Sequence, residues 1–259
     1  MSEALLLRSD SQGICTLTLN RSDAYNALSM ELMQAISTEL DQIKDDIEVR
    51  TVIIKGGGKG FCAGHDLKQM MDAGEEAYYQ STFETCSEMM QRIINLPIPV
   101  IAQVHGVATA AGCQLVASCD MAVCADNARF ATPGVNIGLF CSTPMVALTR
   151  ALAPKHAMEL LLTGDLMSAE RATEIGLVNW SVAAAKLDQL TLELAEKIAS
   201  KSRKTLSIGK QAFYQQTQQP LSDAYQYCSK VMTDNMMEND AQEGIDAFIG
   251  KRKPVWSHR

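Results

Sequence analysis

The sequence has no long hydrophobic run. Nearly half of its 259 residues, 47%, are hydrophobic, yet they never form the stretch of about 18 that a membrane-spanning helix needs. Excess basic charge is also missing: 23 Lys and Arg stand against 30 Asp and Glu, for a net charge of −7. That excludes the electrostatic footprint of a nucleic-acid or anionic-lipid binder. No Pro-, Ser- or Gly-rich linker, low-complexity tract or clear repeat divides the chain, so the length suits one core with a smaller appended unit. The eight cysteines have no CxxC spacing. Cys113, Cys119 and Cys124 lie in apolar runs without histidine partners and read as small core hydrophobes, with no metal expected. Cys141, in a loop-like stretch, is kept apart as a candidate reactive thiol. The apolar part of "MSEALLLRSDSQG" is too short for a signal peptide and reads as a first strand, so the expected compartment is the cytoplasm.

Strand, loop and helix units alternate, which predicts an α/β fold. "ICTLTLN" alternates like a strand and runs into the turn-like "NRSDAYNALS". Ser29 is placed to cap an amphipathic helix over 30–46, with Met33, Ile36, Leu40 and Ile43 on one face. "RTVIIKG" and "IPVIAQVHG" read as buried strands. A weakly helical segment extends to about Asn95, "GVATAAGCQLVASCD" reads as a helix, and "DMAVCADNARFATP" as two short strands. Ser168 caps a helix that Gly176 ends. After "GLVNWSV" the chain is helical nearly to its end; Asp240 and Glu243 suggest a capping box, and Pro254 a stop. A soft boundary near 195 separates an α/β core, 1–195, from a helical region, 196–259.

Two small-residue loops carry the chemistry. "KGGGKGFCAGHD" lacks the Lys-Ser/Thr of a P-loop and the acidic residue of a dinucleotide fold. It is either a plain turn or a backbone platform for a ligand. "HGVATAAG" follows a buried strand and opens a helix, whose first N–H groups have no intrahelical partner. One N–H from each loop, aimed at one oxygen, would make an oxyanion hole.

Several motifs in order resemble the crotonase (enoyl-CoA hydratase/isomerase) superfamily over nearly the whole chain: "LNRSDAYNALS", "GKGFCAGHDLKQM", "HGVATAAGCQLVASCDMAVCADNARFATPGVNIGL" and "AMELLLTGDLMSAERATEIGLVN". "TPGVNIGLFCSTP" and "AFIGKRKPVWSH" resemble its enoyl-CoA hydratase domain-containing 3 branch. The resemblance implies a crotonase-like spiral of ββα turns with a helical C-terminal trimerisation region, a homotrimer or dimer of trimers. It implies a coenzyme A thioester as substrate, no permanently bound cofactor, and backbone oxyanion donors at His65 and Ala111. The His65 imidazole would lie at the rim as an exposed loop side chain, a CoA phosphate contact or a proton shuttle. Ala24, Ala63, Asp66 and Leu67 would hold CoA through their main chain. Lys68, Phe248 and Lys251 would add contacts, although each lysine reads equally well as a solvated charge.

The resemblance also exposes a gap. The two positions at which hydratases of this kind carry glutamates hold Gln114 and Gly134. An amide transfers no proton at useful pH, and Gly134 contributes backbone and space. Each lost acid–base group costs roughly 10²–10⁴-fold, so efficient hydration is not expected. An enzyme using the hole differently remains open: a decarboxylase, a hydrolase, or an isomerase drawing an acid from Asp72, Glu84 or Glu88. So do a weak hydratase and a non-catalytic acyl-CoA binder. Phe140 and Cys141 would shape the acyl pocket.

Overall fold

A computed structural model describes residues 4–259. Strands β1 (Leu6–Ser11) and β2 (Ile14–Leu19) form a hairpin. Helix α1 (Met30–Asp45) follows, with Ser29 Oγ accepting from the Leu32 N–H and Leu32, Met33, Ile36, Leu40 and Ile43 buried. Next come β3 (Thr51–Gly56), α2 (Leu67–Ala73), α3 (Glu76–Asn95) and β4 (Val100–Val104). The stretch expected to be a single helix is split. Val107–Thr109 forms strand β5, and only Ala111–Ser118 is helical, as α4. The reason is pairing: β5 lies parallel to β7 (Arg129–Ala131), which follows β6 (Met121–Ala125). Helices α5 (Ser142–Ala151) and α6 (Pro154–Thr163), strand β8 (Met167–Ser168), helix α7 (Ala169–Glu174), strand β9 (Trp180–Val182) and helix α8 (Leu187–Ala199) complete the α/β part. Helices α9 (Arg203–Gln216), α10 (Leu221–Met236) and α11 (Asn239–Ile249) end the chain.

The main sheet runs β1-β2-β3-β4-β6-β9, parallel after its first pair; a second holds β5-β7-β8. Because strand side chains alternate, the main sheet is buried on both faces. Val52, Ile54, Val100 and Ala102 face the cluster of α1, α3 and α4. Ile14, Ile53, Ile101 and Val123 face Leu187, Ala195 and Ala199 of α8. Thus α8 runs unbroken through residue 195 and stays on the sheet, and the chain leaves it only after Ala199.

The capping-box expectation at Asp240 is not met. Helix α11 starts at Asn239, and Asp240 is buried inside it. Its carboxylate accepts from Ser202 Oγ, from Ser257 N–H and Oγ, and from His258 N–H. Glu243 instead pairs with Arg252 at 2.6 Å. Both acids serve the returning tail rather than the helix start.

Candidate active site

The first loop, the glycine loop and the start of α4 are tied together by backbone. Leu28 N–H donates to Gly64 O (2.7 Å), Ala63 N–H to Tyr25 O (3.0 Å), and Thr109 N–H to Cys62 O (2.9 Å). Asn26, fully buried with φ 54°, is the hub. Its Oδ1 accepts from Arg21 N–H, and its Nδ2 donates to Gly57 O and Gly60 O. Arg21 also reaches Asp66 (2.7 Å). Neither Arg21 nor Asn26 stood out in the sequence; the only signal was the turn-like "NRSDAYNALS", which gave no partner.

The glycine loop and the start of α4, which carry the two expected donors, approach closely at Gly64. Gly64 has φ +96°, and a Cβ built on it would lie 3.3 Å from Ala111 N, 3.0 Å from Thr109 O and 2.8 Å from the Ala110 Cβ. Only glycine allows this approach. Ala111 opens α4, so its N–H has no intrahelical acceptor. Outside the helices and strands, neither it nor the His65 N–H donates to a backbone carbonyl among the described residues. Ala110, just before, holds the strained pair φ 50°, ψ −119°, a backbone outlier of the sort found at ligand clamps.

His65 is not the rim imidazole that was expected. Both ring nitrogens are buried without a hydrogen-bond partner, and the ring packs edge-on against Phe83 of α3, centroids 5.4 Å apart. Desolvation pushes its pKa down to about 4. A neutral, enclosed ring offers no cation to a phosphate, so that reading falls away, as does the exposed loop side chain. Gln114 is 3% exposed, and its Oε1 is buried and unpartnered. Three of the four orphaned buried side-chain polar atoms among the described residues therefore belong to His65 and Gln114.

Gly134 does not leave space. A Cβ there would meet Leu139 O at 2.5 Å and Cys141 Sγ at 2.9 Å. The Leu139–Cys141 turn fills the volume that a side chain would use. Phe140 in that turn is 43% exposed, while Cys141 is buried and its thiol pKa is raised by desolvation, which disfavours a nucleophilic thiolate. The other cysteines behave as core: all but Cys228 are buried and all are unpaired.

The candidate acids stay outside. Asp72, Glu84 and Glu88 are exposed; Glu84 accepts from Gln80, and Glu88 lines a surface groove between α1 and α3 with Asp41, Lys44 and Arg92. Asp66 is engaged by Arg21 and caps α2 through the Gln69 N–H; these contacts hold its carboxyl below the usual range against the desolvation of its site. Ala24 and Ala63 sit on the adjoining loops, and Leu67 and Lys68 are exposed beside them. Phe248 and Lys251 lie apart: α11 packs on α9 and α10, and both residues face solvent. No group of three or more His, Cys, Asp or Glu suited to a metal exists among the described residues.

The chain matches the enoyl-CoA hydratase/isomerase family over residues 9–259. A human relative, "Enoyl-CoA hydratase domain-containing protein 3, mitochondrial", is 48% identical over 246 residues, covering 95% of this chain and 81% of its own. The crystal structure of that human protein superposes with a TM-score of 0.95 at 45% identity, covering 98% of this chain and 100% of that one. A Mycobacterium smegmatis enoyl-CoA hydratase structure gives 0.96 at 47% identity, covering 98% and 99%. The crotonase fold and the branch suggested by "TPGVNIGLFCSTP" are therefore as expected. The compartment is not. The human relative and its mouse and rat counterparts are all named mitochondrial, which overturns the cytoplasmic expectation.

Proposed function

The chain belongs to the enoyl-CoA hydratase/isomerase family, and on that premise we propose that it binds an acyl-CoA thioester and stabilises its enolate without the two-carboxylate hydration machinery. The observation that carries this is the pair of backbone N–H groups at His65 and Ala111, free of carbonyl acceptors and brought together by Gly64. Each such donor is worth on the order of 10²–10³ in rate when aimed at a developing oxyanion. Gln114 offers an amide in place of the first carboxylate, and the Leu139–Cys141 turn occupies the place of the second. Phe140 and Cys141 wall the acyl pocket. Main chain at Ala24, Ala63, Asp66 and Leu67 holds the CoA, with Lys68 beside its phosphates.

The chain through Ala199 supplies this core, and the helices after it serve assembly into a homotrimer or dimer of trimers. Phe213, Leu221, Tyr225, Met232 and Phe248 stand exposed on the last three helices, apolar side chains of the kind a subunit interface would cover. In such an assembly Phe248 and Lys251 meet the CoA of a neighbouring subunit.

Calorimetry with a saturated acyl-CoA, alongside turnover of crotonyl-CoA, tests the reading. Thioester binding with at most slow hydration is expected. Gly64→Ala, which forces the loops apart, should cut any turnover about 10²-fold with the far-ultraviolet circular dichroism unchanged. Absence of thioester binding, or hydration at the rate of an efficient hydratase, would overturn it.

A further inference from the structure

Helix α11 ends in a reversal that sends the chain back over the start of the same helix. Lys251 takes φ 53°, and the N–H groups of Lys251 and Arg252 donate to Phe248 O and Ala247 O, the bonds of a helix stopped by a left-handed residue. Glu243 then accepts the Val255 N–H at 2.7 Å. Trp256 lies across α11 at Gly244, where a Cβ would meet the indole at 3.0 Å. Its Nε1–H donates to Ser200 O, at the end of α8, at 2.9 Å. Ser257 and His258 close on the buried Asp240 carboxylate, which Ser202 Oγ also reaches. His258 Nδ1 accepts the N–H of Arg203, the first residue of α9, at 3.2 Å. Residues 255–258 thus strap α11 to the corner where α8 passes into α9 and the chain leaves the main sheet.

The bond to Arg203 is the one that a pH change near neutrality breaks. Despite desolvation, its donors hold the Asp240 carboxyl below the usual range, so it stays ionised there. The Arg203 N–H, in the first turn of α9, has no acceptor within its helix. The imidazole accepts it only while Nδ1 carries no proton, with the ring hydrogen on Nε2. A proton on Nδ1 sets donor against donor and a cation against the positive end of the α9 dipole. The charges facing the ring are Arg203 of α9, Arg50 and Glu48 between α1 and β3, and Asp240 of α11. Arg50 Nε is enclosed without a hydrogen-bond partner among the described residues, so a second cation beside it is unwelcome. Burial of the ring, and then the Arg50 charge, lower the His258 pKa from the ordinary 6.5. His258 also sits at φ 62°, a left-handed backbone that its bonds must hold in place.

We propose that residues 255–258 are an acid-released latch: protonation of His258 breaks its bond to Arg203, the strap lifts from the α8–α9 corner, and α11 is freed. The latch goes beyond the thioester reading and does not depend on it. Because the folded-state pKa is lowered, the latch is closed above about pH 6.5 and opens as the pH falls through that lowered value.

The test uses the full chain with Trp180→Phe, which leaves Trp256 as the only tryptophan of the two. Its emission and its quenching by acrylamide are followed from about pH 8 to about pH 5, the range in which an imidazole changes charge. Far-ultraviolet circular dichroism checks the fold. A reversible red shift and stronger quenching are expected below about pH 6.5, with helix content unchanged. His258→Asn keeps a neutral acceptor on a residue suited to the left-handed backbone, so its emission should stay unshifted throughout. His258→Arg carries its charge at every pH and should show the red-shifted, quenchable Trp256 already at the alkaline end. The two variants move one signal in opposite directions, which a general loss of fold cannot imitate. A constant Trp256 signal in the Trp180→Phe parent, an acid transition of equal size in His258→Asn, or an unshifted His258→Arg would each overturn the inference.

Discussion

Two polar clusters in the interior are built on opposite plans. At one, Lys210 Nζ reaches Asp120 (2.7 Å), Ile93 O (2.9 Å) and Ile98 O (3.1 Å), while Tyr214 Oη donates to the same carboxylate at 2.9 Å. The Val100 N–H adds a further bond to it. Every group finds a partner, and the result pins α9 to the end of α3 and the edge of β6. At the other, His65 and Gln114 hold unpartnered atoms beside two free N–H groups. Buried polar groups are normally satisfied, and an orphan costs about 1–3 kcal/mol. The satisfied cluster is scaffold; the unsatisfied one is shaped around something that arrives later.

The contrast is broken most forcefully at Lys210. Lys210→Met takes the ammonium from the half-buried Asp120 and leaves its carboxylate only the Tyr214 Oη and Val100 N–H donors, so denaturant unfolding should show a loss of about 3 kcal/mol. A loss below 1 kcal/mol would mean that the cluster is no scaffold. The next effect is a pH dependence at the other cluster. His65 has its native pKa lowered to about 4 from an ordinary 6.5, so the unfolded chain binds a proton first as pH falls. The stability that the neutral ring contributes is complete above about pH 6.5 and drains away down to about 4, by roughly 3 kcal/mol. Unfolding curves at pH 7 and 4.5 should therefore converge in His65→Phe relative to the parent chain. Equal acid sensitivity in both proteins would show that the ring is already solvated. The smallest effect has the opposite sign to Lys210→Met. Gln114→Leu removes an orphaned acceptor at similar volume and should raise stability without ligand by about 1 kcal/mol, read as a higher denaturation midpoint. Destabilisation would mean that Gln114 is scaffold too.

The core was legible from sequence wherever one residue's chemistry sufficed. Ser29 caps α1 as its spacing suggested, and the apolar runs at 51–56 and 100–104 are strands buried on both faces. The approach of the two small-residue loops was legible too, because what matters there is backbone. Less was visible where a side chain answers to a distant partner. Asp240 has the spacing of a cap but answers to Ser202 and Ser257. His65 reads as a loop residue until Phe83 closes over it. Gly134 reads as empty space, since nothing in "TPGVNIG" announces that the turn five residues on folds back into it. The split of 106–118 into strand and helix likewise depended on β7, a partner that a local pattern does not contain.

Asn26 carries a consequence for the ageing of the protein. Its Nδ2 serves the carbonyls of Gly57 and Gly60 at once. Deamidation would exchange that one nitrogen for oxygen, leaving the side chain the same size and shape while turning both attractions into lone-pair collisions. The shape of the glycine loop therefore depends on the chemical lifetime of a single amide, sheltered from water by its complete burial.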